Sequence, residues 1–398
     1  MTPLLCALLL GGCLGDDAPE KSSHIGGDAV TVYSSLPRHG VSAPAAWAVA
    51  AGERLALADA RGRAGPLRVR LVQLDSTGPG DRLWDPARVS ANAKRAADDH
   101  TAIAYIGELD YGGSAVSVPI TNDAGILQVS PEDGLTSLTD TPAGRPPAGP
   151  ARLYPTGIRS FLRLTPNDQL EAETMLERIR AGGAERLAIL FDQQVYGREL
   201  AEQLTALARR DGPEPVHSDA YRDRVEEIPD LARKLAESRP DAVAYAGVAG
   251  PGTGPLLAAI DERLPGVPVY ASAGVLARDP TRKIPAAPEQ VEALSPFPPS
   301  AELPPAGRRL LRRLGAAGGH DVARPEALYG YESMRLVLDA IAAGGADRAR
   351  AVRAALRIRT RRSPLGSYQV RATGDVGEER FAVYELRKGR FEFEEMAR

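Results

Sequence analysis

The chain has 398 residues but only two cysteines, Cys6 and Cys13, both near its start. A disulfide framework inside a folded body is therefore excluded. Histidine is scarce as well: His24, His39, His100, His217 and His320 are scattered without ligand spacing, which speaks against a structural metal site. The net charge is only −3, and the excess of arginine over lysine is most simply a matter of genome composition. Nucleic acid and other polyanions are not indicated as partners. Long apolar runs are missing apart from one of about a dozen residues at the N-terminus, too short to span ~30 Å of hydrocarbon. Catalytic signatures are missing too. Ser34, Ser35 and Ser114 lack a G-x-S-x-G setting and an obvious histidine partner. Gly250-Pro251-Gly252-Thr253-Gly254 lacks the Gly-Lys-Ser/Thr ending of a phosphate loop and reads as a turn. No spaced acid/base pair stands out among the carboxylates. These absences lead to the expectation of no cofactor, no metal and no catalysis.

What is present is the composition of an ordinary soluble globular protein, with 43% hydrophobic and 25% charged residues. The length exceeds one ordinary core and suggests two lobes. The start, MTPLLCALLLGGCLGDD, is an apolar segment ending in Leu10-Gly11-Gly12-Cys13. This is the spacing of a bacterial lipobox, so residues 1–13 are expected to be a lipoprotein signal peptide, with Cys13 lipidated and holding the protein to a membrane. Residues 14–28, polar with Gly and Asp, are expected to be a flexible tether.

The organising stretch is Thr101–Thr139. Ala102–Ile106 has the length and composition of a buried parallel strand, and Gly112-Gly113 allows a sharp turn. Ser114 is placed to cap a helix running to about Ala124, and Ile126–Val129 is the next strand, stopped by Ser130-Pro131. The loops Glu108–Ser114 and Glu132–Leu135 thus fall on one edge of a parallel sheet, where loop amides and helix N-termini converge on ligands. Val30–Ser34, Ala43–Arg61, Leu67–Asp75 and Pro86–His100 add strand, helix, strand and helix before it. After the Pro-rich stretch Thr139–Pro155 the alternation restarts with strands at Arg186–Phe191, Val216–Asp219, Asp241–Gly247 and Val267–Ser272. A second Pro-rich stretch, Pro280–Pro305, precedes helices near 306–314, 325–343 and 347–356. The last segment alternates in the antiparallel manner around a Lys388-Gly389 turn.

The motifs IGELDYGGS (Ile106–Ser114), AGILQVSPEDGLTSLT (Ala124–Thr139), FLRLTPNDQ (Phe161–Gln169), DQQVYGREL (Asp192–Leu200) and LYGYESMRLVLDAI (Leu328–Ile341) occur in this order. The whole resembles the type I periplasmic binding proteins of the branched-chain amino acid class, the extracytoplasmic receptors of ABC importers. The resemblance implies an α/β fold of two Rossmann-like lobes with parallel sheets, joined by a three-stranded hinge. Residues 29–157 and 277–357 would form the first lobe, and 158–276 and 358–398 the second. It also implies a monomer that binds a small solute in the cleft, closes around it and presents the closed form to permease subunits. A binding module that presents itself to a signalling partner is the alternative. Ser35, Arg38, Asp110, Tyr111, Gly112, Ser114, Glu132, Asp133 and Gly134 would serve from the first lobe, and Tyr196, Ala249 and Ser272 from the second. Tyr196 matches a cleft tyrosine that covers the ligand. Where amino-acid-binding relatives carry a small residue and a hydroxyl to grip the α-carboxylate, this chain has Glu132-Asp133-Gly134. Where they carry an acid for the α-ammonium, it is apolar near Ala273. Both departures point to a polar or cationic solute distinct from leucine.

Overall fold

The computed structural model describes residues 23–40, 42–78, 84–109, 111–146, 149–276, 290–319, 322–377 and 380–397. Cys13, most of the expected tether and Asp110 lie outside them.

The first lobe opens with β1 (Ala29–Leu36), α1 (Ala43–Asp59), β2 (Arg63–Ala64), β3 (Leu67–Asp75), α2 (Pro86–Asp98), β4 (Ala102–Ile106), α3 (Ser114–Asp123), β5 (Leu127–Ser130) and β6 (Phe161–Arg163). Its sheet has the order β2-β3-β1-β4-β5-β6. Every pairing is parallel except the short β2–β3 contact. Parallel strands flanked by helices are buried on both faces, and the five residues of β4 are accordingly all buried. In α2 the start is set by Asp85, whose carboxylate accepts the Arg88 N–H at 3.0 Å, and by Pro86 in the first turn. Val89, Ala93 and Ala96 form its buried stripe.

The second lobe comprises α4 (Asp168–Ala181), β7 (Arg186–Asp192), α5 (Val195–Asp211), β8 (Glu214–Tyr221), α6 (Ile228–Glu237), β9 (Ala242–Ala246), α7 (Thr253–Arg263), β10 (Val269–Ala271) and β11 (Val291–Ser295). The chain then returns to the first lobe through α8 (Pro305–Gly318), α9 (Glu326–Gly344), α10 (Arg348–Leu356) and the hairpin β12 (Arg361–Ser363) and β13 (Gly366–Tyr368). It ends in the second lobe with β14 (Phe381–Arg387) and β15 (Arg390–Ala397). The second sheet runs β15-β14-β11-β10-β9-β7-β8, and its pairings are parallel except β11–β14 and β14–β15, so β14 alone runs against the others. Helices α1 and α9 meet backbone to backbone: a Cβ on Gly52 would lie 2.0 Å from the Ala327 carbonyl oxygen, and one on Gly330 2.1 Å from that of Val49. Only glycine permits that approach.

Two lobes of largely parallel sheet match the expected fold class, and the chain passes between them three times. The crossings fall elsewhere than expected. The first comes after Arg163 rather than at residue 158, because Phe161–Arg163 continue the ladder of β5. The second comes after Ser295 rather than at 277: Val291–Ser295, expected as loop, pairs with both β10 and β14. The third comes after Val376 rather than at 358, since Tyr368, Val370 and Val376 are buried in the first lobe's core. The end of the expected tether is also packed. Ile25 is 3% exposed in that same core and its N–H donates to the Ala346 carbonyl at 2.7 Å.

Candidate functional site

The C-terminal ends of β4 and β5 carry their loops against the N-terminal turns of α4 and α5, so the expected sheet edge lies at the seam between the lobes. Tyr111 and Tyr196 stack across it with ring centroids 4.4 Å apart and planes tilted by 35°. Both are buried. The Tyr196 hydroxyl donates to the Glu171 carboxylate at 2.9 Å, and the Ala273 N–H donates to the same group at 2.6 Å. The Tyr111 hydroxyl reaches Glu132 at 3.4 Å. Ser137 N–H donates to Glu199 at 3.1 Å, Thr136 and Gln203 join side chains at 3.2 Å, and Asp168 N–H donates to the Gly134 carbonyl at 2.8 Å.

The backbone N–H groups of the loop before α3, expected to hold a group of the solute, are taken by a carboxylate of the chain itself. Gly112 N–H donates to one oxygen of Asp133 at 3.0 Å, and Ser114 N–H to the other at 2.7 Å. The Ser114 hydroxyl is turned inward and accepts the Glu108 N–H at 3.0 Å. Gly112, at φ +93, supplies the left-handed backbone this turn requires.

Carboxyls dominate the electrostatics. Burial pushes Glu108 up to about 8 despite hydrogen bonds from Tyr105 and Ser35. Burial pushes Glu171 up to about 7 against the bonds from Ala273 and Tyr196. Asp168 is raised well above the usual range by burial, then by the charges of Glu171 and Glu199. Asp133 is raised because burial outweighs its N–H donors. A desolvated carboxyl favours its neutral form. Asp168 Oδ2 and Gln203 Nε2 are buried with no hydrogen-bond partner among the described residues.

Of the residues expected to form the site, the structure gathers Tyr111, Gly112, Ser114, Glu132, Asp133, Gly134 and Tyr196 at this seam. Ser35 lies beneath it, fully buried, donating to Glu108 at 2.7 Å and accepting from Asn92 at 3.0 Å. The Ser272 hydroxyl bonds the N–H and C=O of Gly247, both at 2.9 Å. Arg38 gives its backbone N–H to Asp75 at 3.0 Å, and Ala249 gives its own to Gly274 at 3.1 Å. Asp75 caps that loop and the Thr77 N–H, whereas the cap of α2 is Asp85.

Beyond Val195 the seam opens into a cavity of about 670 Å³. Trp84 and Pro86 line it from the first lobe; Asp192, Val195, Tyr221, Arg222, Asp223, Arg224 and Tyr245 are among those lining it from the second. Asp192 is fixed by the N–H groups of Gln194 at 3.0 Å and Val248 at 2.8 Å, and Asp223 by that of Gly252 at 2.8 Å. Indole and phenol rings beside guanidinium and carboxylate groups suit a small polar solute with an unsaturated or apolar body. The sequence reading missed these residues. Tyr221-Arg222-Asp223 ends a strand on the same sheet edge, and that position was the available signal. Among the described residues no group of three potential ligands could hold a metal ion, and no helix is long and apolar enough to cross a membrane.

Comparison with known proteins gives the fold a context. Among curated proteins none matches. Among solved structures, the ABC transporter substrate-binding protein from Desulfitobacterium hafniense in complex with Leu shares 19% identity at a TM-score of 0.71, covering 92% of this chain and 99% of that one. A solute binding protein from R. palustris in complex with 4-hydroxybenzoate shares 16% at 0.73, covering 93% and 97%. A leucine binding protein from Thermotoga maritima shares 18% at 0.71, covering 92% and 98%. At these identities the likeness is one of fold. The family model described as periplasmic binding protein matches residues 30–390, most of the chain, and this protein belongs to that family.

Proposed function

We propose that the chain is the extracytoplasmic solute receptor of an ABC importer, binding a small polar solute, an amino acid or a related compound, between its lobes. It performs no chemistry: solute contacts to both lobes stabilise the closed form, and that form is what permease subunits recognise. Cys13, carrying acyl chains, holds the receptor at the membrane surface. The observation that carries the reading is the cavity lined by Trp84 from one lobe and by Tyr221, Arg222 and Tyr245 from the other. Solved proteins of like fold bind leucine and 4-hydroxybenzoate, so this architecture accommodates both aliphatic and aromatic solutes.

The test is thermal unfolding against a panel of amino acids, amides, polyamines and aromatic acids, followed by titration calorimetry of each hit. A solute that binds only the folded form raises Tm by mass action. Trp84→Ala is expected to weaken that solute at least tenfold. A hit whose affinity is untouched by Trp84→Ala, or a receptor that responds to nothing on the panel, counts against this cavity as the binding site.

A further inference from the structure

We propose that Asp133 is a built-in occupant of the α3 anion cradle and that it bars solute carboxylates from this part of the cleft. The inference deepens the receptor reading by naming the chemical group its solute does not present here.

Two converging backbone N–H groups at a helix start, here those of Gly112 and Ser114, bind a carboxylate whether it is free or tethered. Here the tethered one meets both, at 3.0 and 2.7 Å, and is fully buried. Its position is over-determined. Asp133 N–H donates to Ser130 Oγ at 2.8 Å, and its carbonyl accepts from Arg163 at 3.0 Å. The turn holding it cannot swing away without breaking these bonds. A second carboxylate stands behind the first. A Cβ on Gly134 would lie 2.1 Å from Asp168 Oδ1, so Asp168 is pressed against the same turn. It is 4% exposed, and its other oxygen has no partner among the described residues. An entering carboxylate would have to displace Asp133 from both N–H groups and then be desolvated in the space already filled by Asp168. A solute that reaches this region therefore brings a neutral or donor-bearing head. Any carboxylate it has is left for Arg222 and Arg224 in the outer cavity.

Chemical rescue tests this directly. Asp133→Gly empties the cradle, so acetate or formate should raise its Tm saturably, by roughly 3–6 °C at ten times the dissociation constant. Acetamide at equal concentration should not, and the unmodified protein should respond to neither. Should Asp133→Gly fail to fold, Asp133→Ser carries the same test. Acetate that leaves the folded variant unmoved, or moves the unmodified protein equally, overturns the proposal. Lack of any solute response in the unmodified protein bears on the receptor reading alone, since acetate rescue of the variant does not depend on it.

Discussion

Arg163 is fully buried, and its guanidinium spends its donors on four acceptors at once. Nε donates to Asp375 at 2.7 Å, one terminal nitrogen to the carbonyls of Asp133 at 3.0 Å and Leu135 at 2.9 Å, and the other to the Thr139 hydroxyl. Arg163 stands just before the first crossing between lobes and Asp375 just before the third, so the pair ties two hinge strands together. Arg163→Met keeps the apolar stem and removes the charge. It leaves the buried Asp375 carboxylate without a counter-charge and takes the guanidinium from the Asp133 carbonyl, while the Leu135 carbonyl keeps the Leu138 N–H at 3.1 Å, a loss of about 3–5 kcal/mol at neutral pH. At about 2–4 °C per kcal/mol for lobes of this size, Tm should fall by roughly 6–20 °C. The pH dependence discriminates further. Burial pushes the Asp375 carboxyl up, but the Arg163 charge and hydrogen bonds from Thr373, Arg163 and Thr139 hold it below its ordinary 3.8. A depressed carboxyl contributes stability that is present above its unfolded value and lost as pH falls through the folded one. Without Arg163 burial is no longer opposed by a charge, the carboxyl rises above 3.8, and its contribution is lost as pH increases. The gap between the two proteins should therefore widen from about pH 4 to pH 7 in urea unfolding. Adding Asp375→Asn should recover part of it. A gap below about 1 kcal/mol at pH 7, or one equal at both pH values, would refute the reasoning.

Tyr196→Phe keeps the stack on Tyr111 but takes the hydroxyl from Glu171, leaving that buried carboxyl the Ala273 N–H. A destabilisation of about 1–3 kcal/mol is expected in thermal unfolding, and none would mean the bond carries no weight. Glu108, pushed up to about 8 by burial, adds stability that is complete below its ordinary 4.5 and is lost as pH rises toward 8. Glu108→Gln should flatten the stability curve across that window by up to about 1.4 kcal/mol per pH unit, checked by urea midpoints at three or more pH values.

Particular elements show how much was legible. Ala102–Ile106 and the Gly112-Gly113 turn announced strand, turn and helix, because a buried parallel strand must be apolar throughout and a sharp turn needs glycine. β11 was hidden: Val-Glu-Ala-Leu-Ser follows a Pro-rich run, and its one charge, Glu292, is neutralised by Arg178 at 2.8 Å from a distant helix. Tyr368 and Val376 gave no sign of which lobe would bury them, since either core accepts an apolar side chain. The sequence places the Asp110–Ser114 loop and the Glu132–Gly134 turn on one sheet edge, and the structure brings Gly112 and Ser114 of the first against Asp133 of the second. That one would fill the other was not legible, because the two lie about twenty residues apart in sequence and their meeting depends on β4 pairing with β5.

The residue order alone determined the alternation of strand and helix, the division into two lobes and the sheet edge on which loops converge, because each rests on local periodicity and turn chemistry. Only the tertiary structure decided where the chain crosses between lobes, that Asp133 occupies the anion cradle, and that the open cavity lies beyond Val195. Those outcomes rest on pairings and charges brought together from distant parts of the chain, and no local pattern encodes them.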